Sequence, residues 1–472
     1  MGRLRAQVSV LSEREIKRVH RASLSILGEI GVQVPNEHLL SRLRAAGAVV
    51  DGERVYLPEA LVVRALESSS RRHRGRSKRR KSPLQVTNGC ETTIIDYPEH
   101  RRRPGTLEDV LKGIVLTNAL PNVGSALPVV VPSDVPSRLA PVEAYRLGCL
   151  YSAKPFNVYF GLEQAAYLMD MAAIAADAKA ISRRDLGFSF GFGIISPLRF
   201  APNDLECALR VAADGWPVGC YSFVTLGATA PASMAGALAL SNAERLACLV
   251  LMWLLESAGA DTGRFSGDPC IVEPRSLSVS FGHPNLTILA VAMTQLSRFY
   301  GIGSEGGGLA LTDAKLMDYQ NGFERGLGAV VCVLAGSSIG NAGILGADEA
   351  FSFEQLVLDD ASISAINWLC RGIEVTEESL GLEAIREVGV GGTYLVHPHT
   401  AKYLRREFWD SPLFTRSSWL DWERQGQAAA AERAHQEVER ILAQGYPPRP
   451  LVSAAVSARL EQVLQRAYED LG

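Results

Sequence analysis

The 472-residue chain is 47% hydrophobic and 21% charged, which is enough apolar material for a large buried core and excludes a disordered or collagen-like polymer. A formal net charge of -3 and a pI near 6.3 leave no excess of Lys and Arg to drive generic nucleic-acid binding, so the expected partners are small molecules and proteins. The length fits either one elaborated barrel or two to three small domains, and composition does not choose between them.

The opening MGRLRAQ has no apolar stretch behind its basic residues, and Ala6 stands where a myristoylation motif needs a hydroxyl. Neither a secretory signal nor a lipid anchor is expected, and the location reads as cytoplasmic. Residues 1–80 read as a helical N-terminal unit capping the main domain. Ser12 caps a helix whose apolar positions Ile16, Val19, Leu27 and Ile30 keep helical spacing until Gly31. A helix over 35–46, a short strand VYLP and a helix over about 58–69 follow. The run RRHRGRSKRRK (71–81) reads as a solvated loop, with contact to an anion or a partner protein as the alternative.

From about residue 90 strands and helices alternate. ETTIID precedes a helix over 106–119, VGSALPVVVP one around 138–152, and PFNVYFG one around 163–177. DLGFSFGFGII precedes a helix over 203–214 and PVGCYSFVTLG a long one over 231–258. Segments 264–272, YGIGSEGGG and 336–346 then lead to helices over 285–298, 313–334 and 353–371. About eight such units over 81–375 predict a TIM (β/α)8 barrel, with the N-terminal helical cap before it and a C-terminal helical extension over 376–472. That extension holds TYLVHPHT, read as extended, an aromatic-rich loop and helices at about 423–444 and 452–470, and it is read as an oligomer contact or a cover for the barrel. The apolar stretches 246–255 and 326–346 are respectively too short and too broken to span a bilayer, so no membrane is expected.

A barrel presents its chemistry just after its strand ends. The loops nominated there contain no Ser-His-Asp set, HExxH, Walker loop or GxGxxG, so peptidase, zinc-hydrolase, P-loop and Rossmann readings lose support. The eight cysteines lack a CxxC pair and read mostly as buried thiols in a reducing compartment; no metal is expected. His397 and His399 flank a proline and read as a turn rather than a metal site. Period-two spacing puts Phe188, Phe190 and Phe192 on one face. With Tyr159, Phe223, Phe351 and Phe353 at other strand ends, these rings either fill the core or enclose a quaternary ammonium by cation–π attraction, and Ser196 closes the same loop set. In GSEGGGLALTDAKLMDYQNGFERG, glycines including Gly307 allow close backbone approach to a ligand, and Glu305 is the acid best placed to reach it. For Asp313 the alternative is a helix cap, and for Glu324 a solvent-facing position.

GGGLALTDAKLMDYQNGFE, FSFEQLVLDDASISAI and GIEVTEESLGLEAIREVGVGGTYLVHPHTAKYLRREFW, together with the N-terminal HRASLSILGEIGVQVPNEHLLSRLRAAGAVVDGERVYLPEALV, resemble in order the landmarks of the trimethylamine methyltransferase family. The resemblance implies a barrel that moves a methyl group from a methylated amine to the cobalt of a separate corrinoid protein, with no cofactor bound tightly by the chain itself. Trimethylamine members carry pyrrolysine near the position of 306–308, whereas this chain has only standard residues. The resemblance is therefore to the branch of glycine betaine methyltransferases, implying a quaternary amine such as glycine betaine as substrate, cobalamin supplied by the partner, and a homo-oligomer. A non-catalytic methylated-amine-binding barrel, or a methyltransferase for another methylated compound, are the alternatives.

Overall fold

The computed structural model describes residues 8–77, 84–255, 264–305 and 311–472, and within them all side chains but those of 72–77, 264–266 and 304–305. Local signals set the N-terminal helices. Ser12 and Glu15 form a capping box, the Glu15 carboxylate accepting from Ser12 N–H at 2.8 Å, and the helix Glu13–Ser25 continues as one wide turn, Ile26–Ile30, until Gly31 at φ 76°. Asn36 caps Glu37–Ala46, and Gly47 ends it at φ 101°. The helix Glu59–Ser77 overruns its expected end, so 71–77 of the basic run is helical rather than looped; 78–81 lie outside the described residues. A small antiparallel sheet, Val32–Gln33, Arg54–Tyr56 and Val49–Asp51, joins this unit to the rest. Gln33 N–H donates to Leu198 at 2.8 Å, and Phe200 N–H to Gln33 at 3.0 Å, tying the unit to the turn after the strand Phe190–Ile194.

The closed eight-stranded barrel expected above is not formed among the described residues. The described residues are 52% helix and 12% strand, an α/β fold with helical extensions at both ends and, among those residues, no sheet closure. Its strands fall into separate short sheets. In the largest parallel one, Gly303–Glu305, Arg264–Ser266, Val218–Ser222 and Phe190–Ile194 lie side by side. In another, Ile344–Leu345 and Ala350–Phe351 form a hairpin that meets Thr93–Asp96, which pairs in turn with Arg101–Pro104. Between these groups the backbone ladder thins to single bridges, Ala126 to Phe156, Asn88 to Ala342 and Glu91 to Val130. The physical reason lies in the residues. Pro128, Pro132 and Pro155 bring no N–H to a ladder. The Asn157 amide replaces backbone pairing by donating to Ser189 O at 3.0 Å and accepting from Ser189 N–H at 3.2 Å.

The helices following these segments match the apolar spacing. Thr106 caps Leu107–Ala119 with a second capping box, and Ser352 caps Phe353–Arg371. One start was misplaced: the helix expected from 313 begins at Tyr319, because Asp318, not Asp313, accepts from the Asn321 N–H. Met234–Leu254 is the helix long and apolar enough to cross a membrane among the described residues, and 89% of its apolar window is buried inside the fold. At the C-terminus, Ala430–Gly445 packs on Phe353–Arg371 and Ala454–Leu471 on Ala165–Lys179. The segment read as extended at 393–400 instead leads into a helix, Pro398–Glu407, whose N-cap is His397.

Candidate functional site

The parallel pair Phe190–Ile194 and Val218–Ser222 has two unlike faces. Phe190, Phe192 and Ile194 alternate onto the buried one, which Phe188 continues. Phe188 stacks on Phe160 with centroids 5.4 Å apart, meets Trp216 edge-on at 5.1 Å and touches Tyr145 at 5.2 Å, while Phe192 packs on Phe200 at 6.2 Å. None of the three is more than 3% exposed. These rings fill the core under the helices. The opposite face carries Gly191 and Gly193, and the Tyr221 ring lies across both. A Cβ at Gly193 would come within 2.8 Å of Tyr221 Cε2, whereas one at Gly191 would sit 3.8 Å from Cε1. Phe223, 43% exposed, meets Tyr221 edge-on at 5.5 Å.

Two carboxyl groups converge from distant parts of the chain. Glu91 follows Gly89, where a Cβ would overlap the Ile344 side chain, so the glycine lets 88–91 lie against 342–344. This segment is knitted in by Glu91 N–H to Val129 O at 3.0 Å and by the Asn88 amide, which bonds Leu127 N–H and O at 3.0 and 2.9 Å. Asp348 sits on a turn in which Gly346, Ala347 and Asp348 have φ of 69°, 60° and 69°. Two consecutive non-glycine residues in the left-handed region cost energy and persist only where surroundings hold them. The holding bonds are Gly346 N–H to Ala314 O and Ala347 N–H to Thr312 O, both 2.8 Å. Behind them, Glu324 accepts from Thr312 Oγ1 at 2.6 Å and Asp313 N–H at 2.9 Å, and Asp313 accepts from Phe281 N–H at 2.8 Å. The buried Arg325 pairs with Asp359 at 3.0 Å and donates to the Ile344 carbonyl, while Asp359 accepts from Gly343 N–H at 2.8 Å. Asp313 and Glu324 are thus anchors of this turn, neither helix cap nor solvent-facing residue.

Burial first, then the negative charge of Asp348 and a hydrogen bond to it, push the Glu91 carboxyl up to about 9. Burial likewise raises Asp348 above the usual carboxylate range, and its hydrogen bond with Glu91 opposes that rise. Burial raises the Cys90 thiol, with the charges of Glu91 and Asp348 adding to it. Tyr159 is 59% exposed, yet burial is the first cause of its raised phenol pKa, followed by Cys90, Tyr221, Asp348 and Glu91. Tyr221 is raised by burial and by Cys220.

The remaining sequence candidates fall in several places. Ser196 donates to Glu244 Oε2 at 2.7 Å, where Ser222 Oγ at 2.6 Å and Leu198 N–H at 2.8 Å also bind the same carboxylate. Glu244, raised by burial, so staples the ends of two strands, and Ser196 serves that staple. Phe351 is buried in the hairpin, and Phe353 meets it edge-on at 5.9 Å and packs partly buried on the core. Backbone register puts Glu305 opposite Ser266, which is itself opposite Tyr221, so Glu305 is level with Tyr221; its side chain is not among those described. Gly307 lies outside the described residues. His397 caps its helix through His399 N–H at 3.1 Å and bonds Glu387 at 2.9 Å. Among the described residues no three His, Cys, Asp or Glu side chains gather as a metal site would require.

Sequence reasoning passed over Glu91, Cys90 and Asp348. Glu91 was counted into a strand, when the strand is Thr93–Asp96 and its hairpin partner Arg101–Pro104 went unseen. The available signals were the Gly89 preceding Cys90 and Glu91, and the Gly-Ala-Asp run at 346–348 just before the helix expected from 353.

The family model described as Trimethylamine methyltransferase (MTTB) matches residues 2–472. The chain is similar to a glycine betaine methyltransferase of Desulfitobacterium hafniense (strain Y51), 28% identical with all of both chains covered. It is also similar to a trimethylamine methyltransferase MttB of Desulfitobacterium hafniense (strain DSM 10664 / DCB-2), 27% identical over 98% of this chain and 94% of that one. Among solved structures, the Methanosarcina barkeri monomethylamine methyltransferase (MtmB) aligns at 12% identity and a TM-score of 0.46, covering 99% of this chain and 96% of that one.

Proposed function

Because the chain belongs to the trimethylamine methyltransferase family and is a methyltransferase acting on a methylated amine, we propose that it moves a methyl group from a quaternary amine to Co(I) of a separate corrinoid protein. The observation that carries this reading is the aromatic wall on the glycine face of the strand Phe190–Ile194, where the half-buried Tyr221 ring lies over Gly193 and the exposed Phe223 meets it edge-on at 5.5 Å. Aromatic faces attract N-methyl groups that share a positive charge, and a single carboxylate balances that charge. The full-length likeness to a glycine betaine methyltransferase supports the quaternary class.

The Co(I) centre of the partner supplies the nucleophile. The N–C bond breaks with its electron pair passing to nitrogen, which leaves as a neutral tertiary amine, so the step asks no acid of the chain. What the chain contributes is position. Tyr221, laid across Gly191 and Gly193, fixes one wall, and the turn carrying Asp348 fixes the charge. Glu305, level with Tyr221 by register, is assigned to the same wall. The chain is further assigned a self-association surface in its C-terminal segment, where Ile373, Val375, Leu395 and Val396 are largely exposed.

The test is purified protein with free cob(I)alamin and a panel of quaternary and tertiary amines, following methylation of the corrinoid by absorbance and the demethylated amine by NMR. Methyl transfer from at least one quaternary amine is expected. Transfer from tertiary amines alone would refute the quaternary assignment.

A further inference from the structure

The helix Met234–Leu254 sends two neighbouring charged residues, Glu244 and Arg245, to the ends of three adjacent parallel strands. Neither is more than 1% exposed, and charged side chains so far from water persist only where their bonds are fixed. The Glu244 carboxylate accepts from Ser222 Oγ at 2.6 Å, at the end of the strand Val218–Ser222. It also accepts from Ser196 Oγ at 2.7 Å and Leu198 N–H at 2.8 Å, on the turn after the strand Phe190–Ile194. Arg245 donates to the Gly267 carbonyl and to Asp268 at 3.3 Å, just past the strand Arg264–Ser266. The two grips meet at one place. A Cβ at Gly267 would overlap the Ser222 carbonyl, so the backbone held by Arg245 rests on the residue held by Glu244. Ser222 follows Tyr221, and register sets Tyr221 between Gly193 on one strand and Ser266 on the other.

We propose that Glu244 is a positioning residue for methyl transfer, fixing Tyr221 over Gly193 by binding the ends of both strands, with Arg245 bracing the third strand behind it. This rests on the aromatic-wall reading above and adds the device that holds the wall. Both side chains are sealed from solvent, so they act on the amine through the wall and not by touching it. Nothing else in the clamp is charged except Asp268, which Arg245 meets.

Glu244→Leu, Glu244→Gln and Ser222→Ala in the full-length protein, assayed for methyl transfer to cob(I)alamin, test the assignment. Leucine fills the space without a hydrogen bond, and a wall displaced by up to about 1 Å should lower kcat by about 10- to 100-fold while KM changes less. Glutamine keeps an oxygen for Leu198 N–H and an amide that both hydroxyls can bond, so kcat should stay within about threefold. Ser222→Ala removes one of the three bonds and should fall between these two; it carries the test if Glu244→Leu does not fold. Phe188→Ala, which loosens the core on the other face, is the stability control and should keep native kcat below its own Tm. Crystal structures of the native chain and Ser222→Ala read the Tyr221 ring without any turnover, and a shifted ring is expected. An unmoved ring, native kcat in Ser222→Ala, Glu244→Gln as impaired as Glu244→Leu, or an equal kcat loss in Phe188→Ala overturns the proposal. A shifted ring in a protein whose native form demethylates no amine leaves the clamp standing and sinks the aromatic-wall function instead.

Discussion

Gly193→Ala isolates the wall formed by Tyr221 from the stability of the fold. The added methyl would lie 2.8 Å from Tyr221 Cε2, 3.3 Å from Cζ and 3.4 Å from Cδ2, and unstrained carbon contacts run about 3.5–4.0 Å. The ring edge must retreat by roughly 1 Å, the difference between the closest of these distances and an ordinary contact. Tyr221 is only half-buried, so it swings toward the open side instead of straining the ladder. The stability cost should stay near or below the lower end of core overpacking, about 1 kcal/mol. Misplacement of that size in a positioning wall is worth up to about a hundredfold in rate. The expected result is therefore a fall in kcat/KM of about 10- to 100-fold with only a small change in Tm. Gly191→Ala supplies the internal control, since its methyl meets Tyr221 at an ordinary 3.8 Å and should leave activity within about twofold. Methyl transfer to cob(I)alamin and thermal unfolding measure the two effects separately. Full activity in Gly193→Ala, or equal damage in both variants, would show that Tyr221 does not form the wall.

Three further outcomes follow from the packing and the charges. Phe188→Ala should cost about 3–5 kcal/mol in chemical denaturation while leaving ligand affinity of the folded protein intact; a selective loss of affinity would return this ring to the binding site. Glu91 has a folded pKa raised to about 9, by burial and then by Asp348, from a usual 4.5, so its contribution to stability is full below about 4.5 and is lost as pH rises through about 9. Glu91→Gln does not titrate, so its Tm relative to the native chain should rise between pH 5 and 9 and then level off; a pH-independent difference would count against the raised Glu91 pKa. Arg325→Met leaves the buried Asp359 without its guanidinium and should cost about 3–5 kcal/mol, with activity falling further because Gly343 and Ile344 lose their anchor. A variant as stable as the native chain would contradict that role.

The helices were legible because their signals are local. Ser12 with Glu15, Thr106 with Asp109, and Ser352 each lie within a turn of the groups they cap, so residue order alone places them. Where two caps compete, as Asp313 and Asp318 do, the choice falls to a distant partner: Asp313 is taken up by Ser280 and Phe281. Strand pairing is non-local, and the expected closure failed there, with prolines and side-chain amides standing where a continuous ladder was assumed. Alternation in the sequence put Phe188, Phe190 and Phe192 on one face, but only Trp216, Phe160 and Tyr145 packed behind them decide that this face is core, and that Gly191 and Gly193 open the other. Composition, order of motifs and family membership were determined by the sequence itself. The coupling of the two acids was decided by tertiary structure, because Glu91 and Asp348 raise one another's pKa only once Gly89 has let 88–91 lie against 342–344 and a left-handed turn has set Asp348 in place.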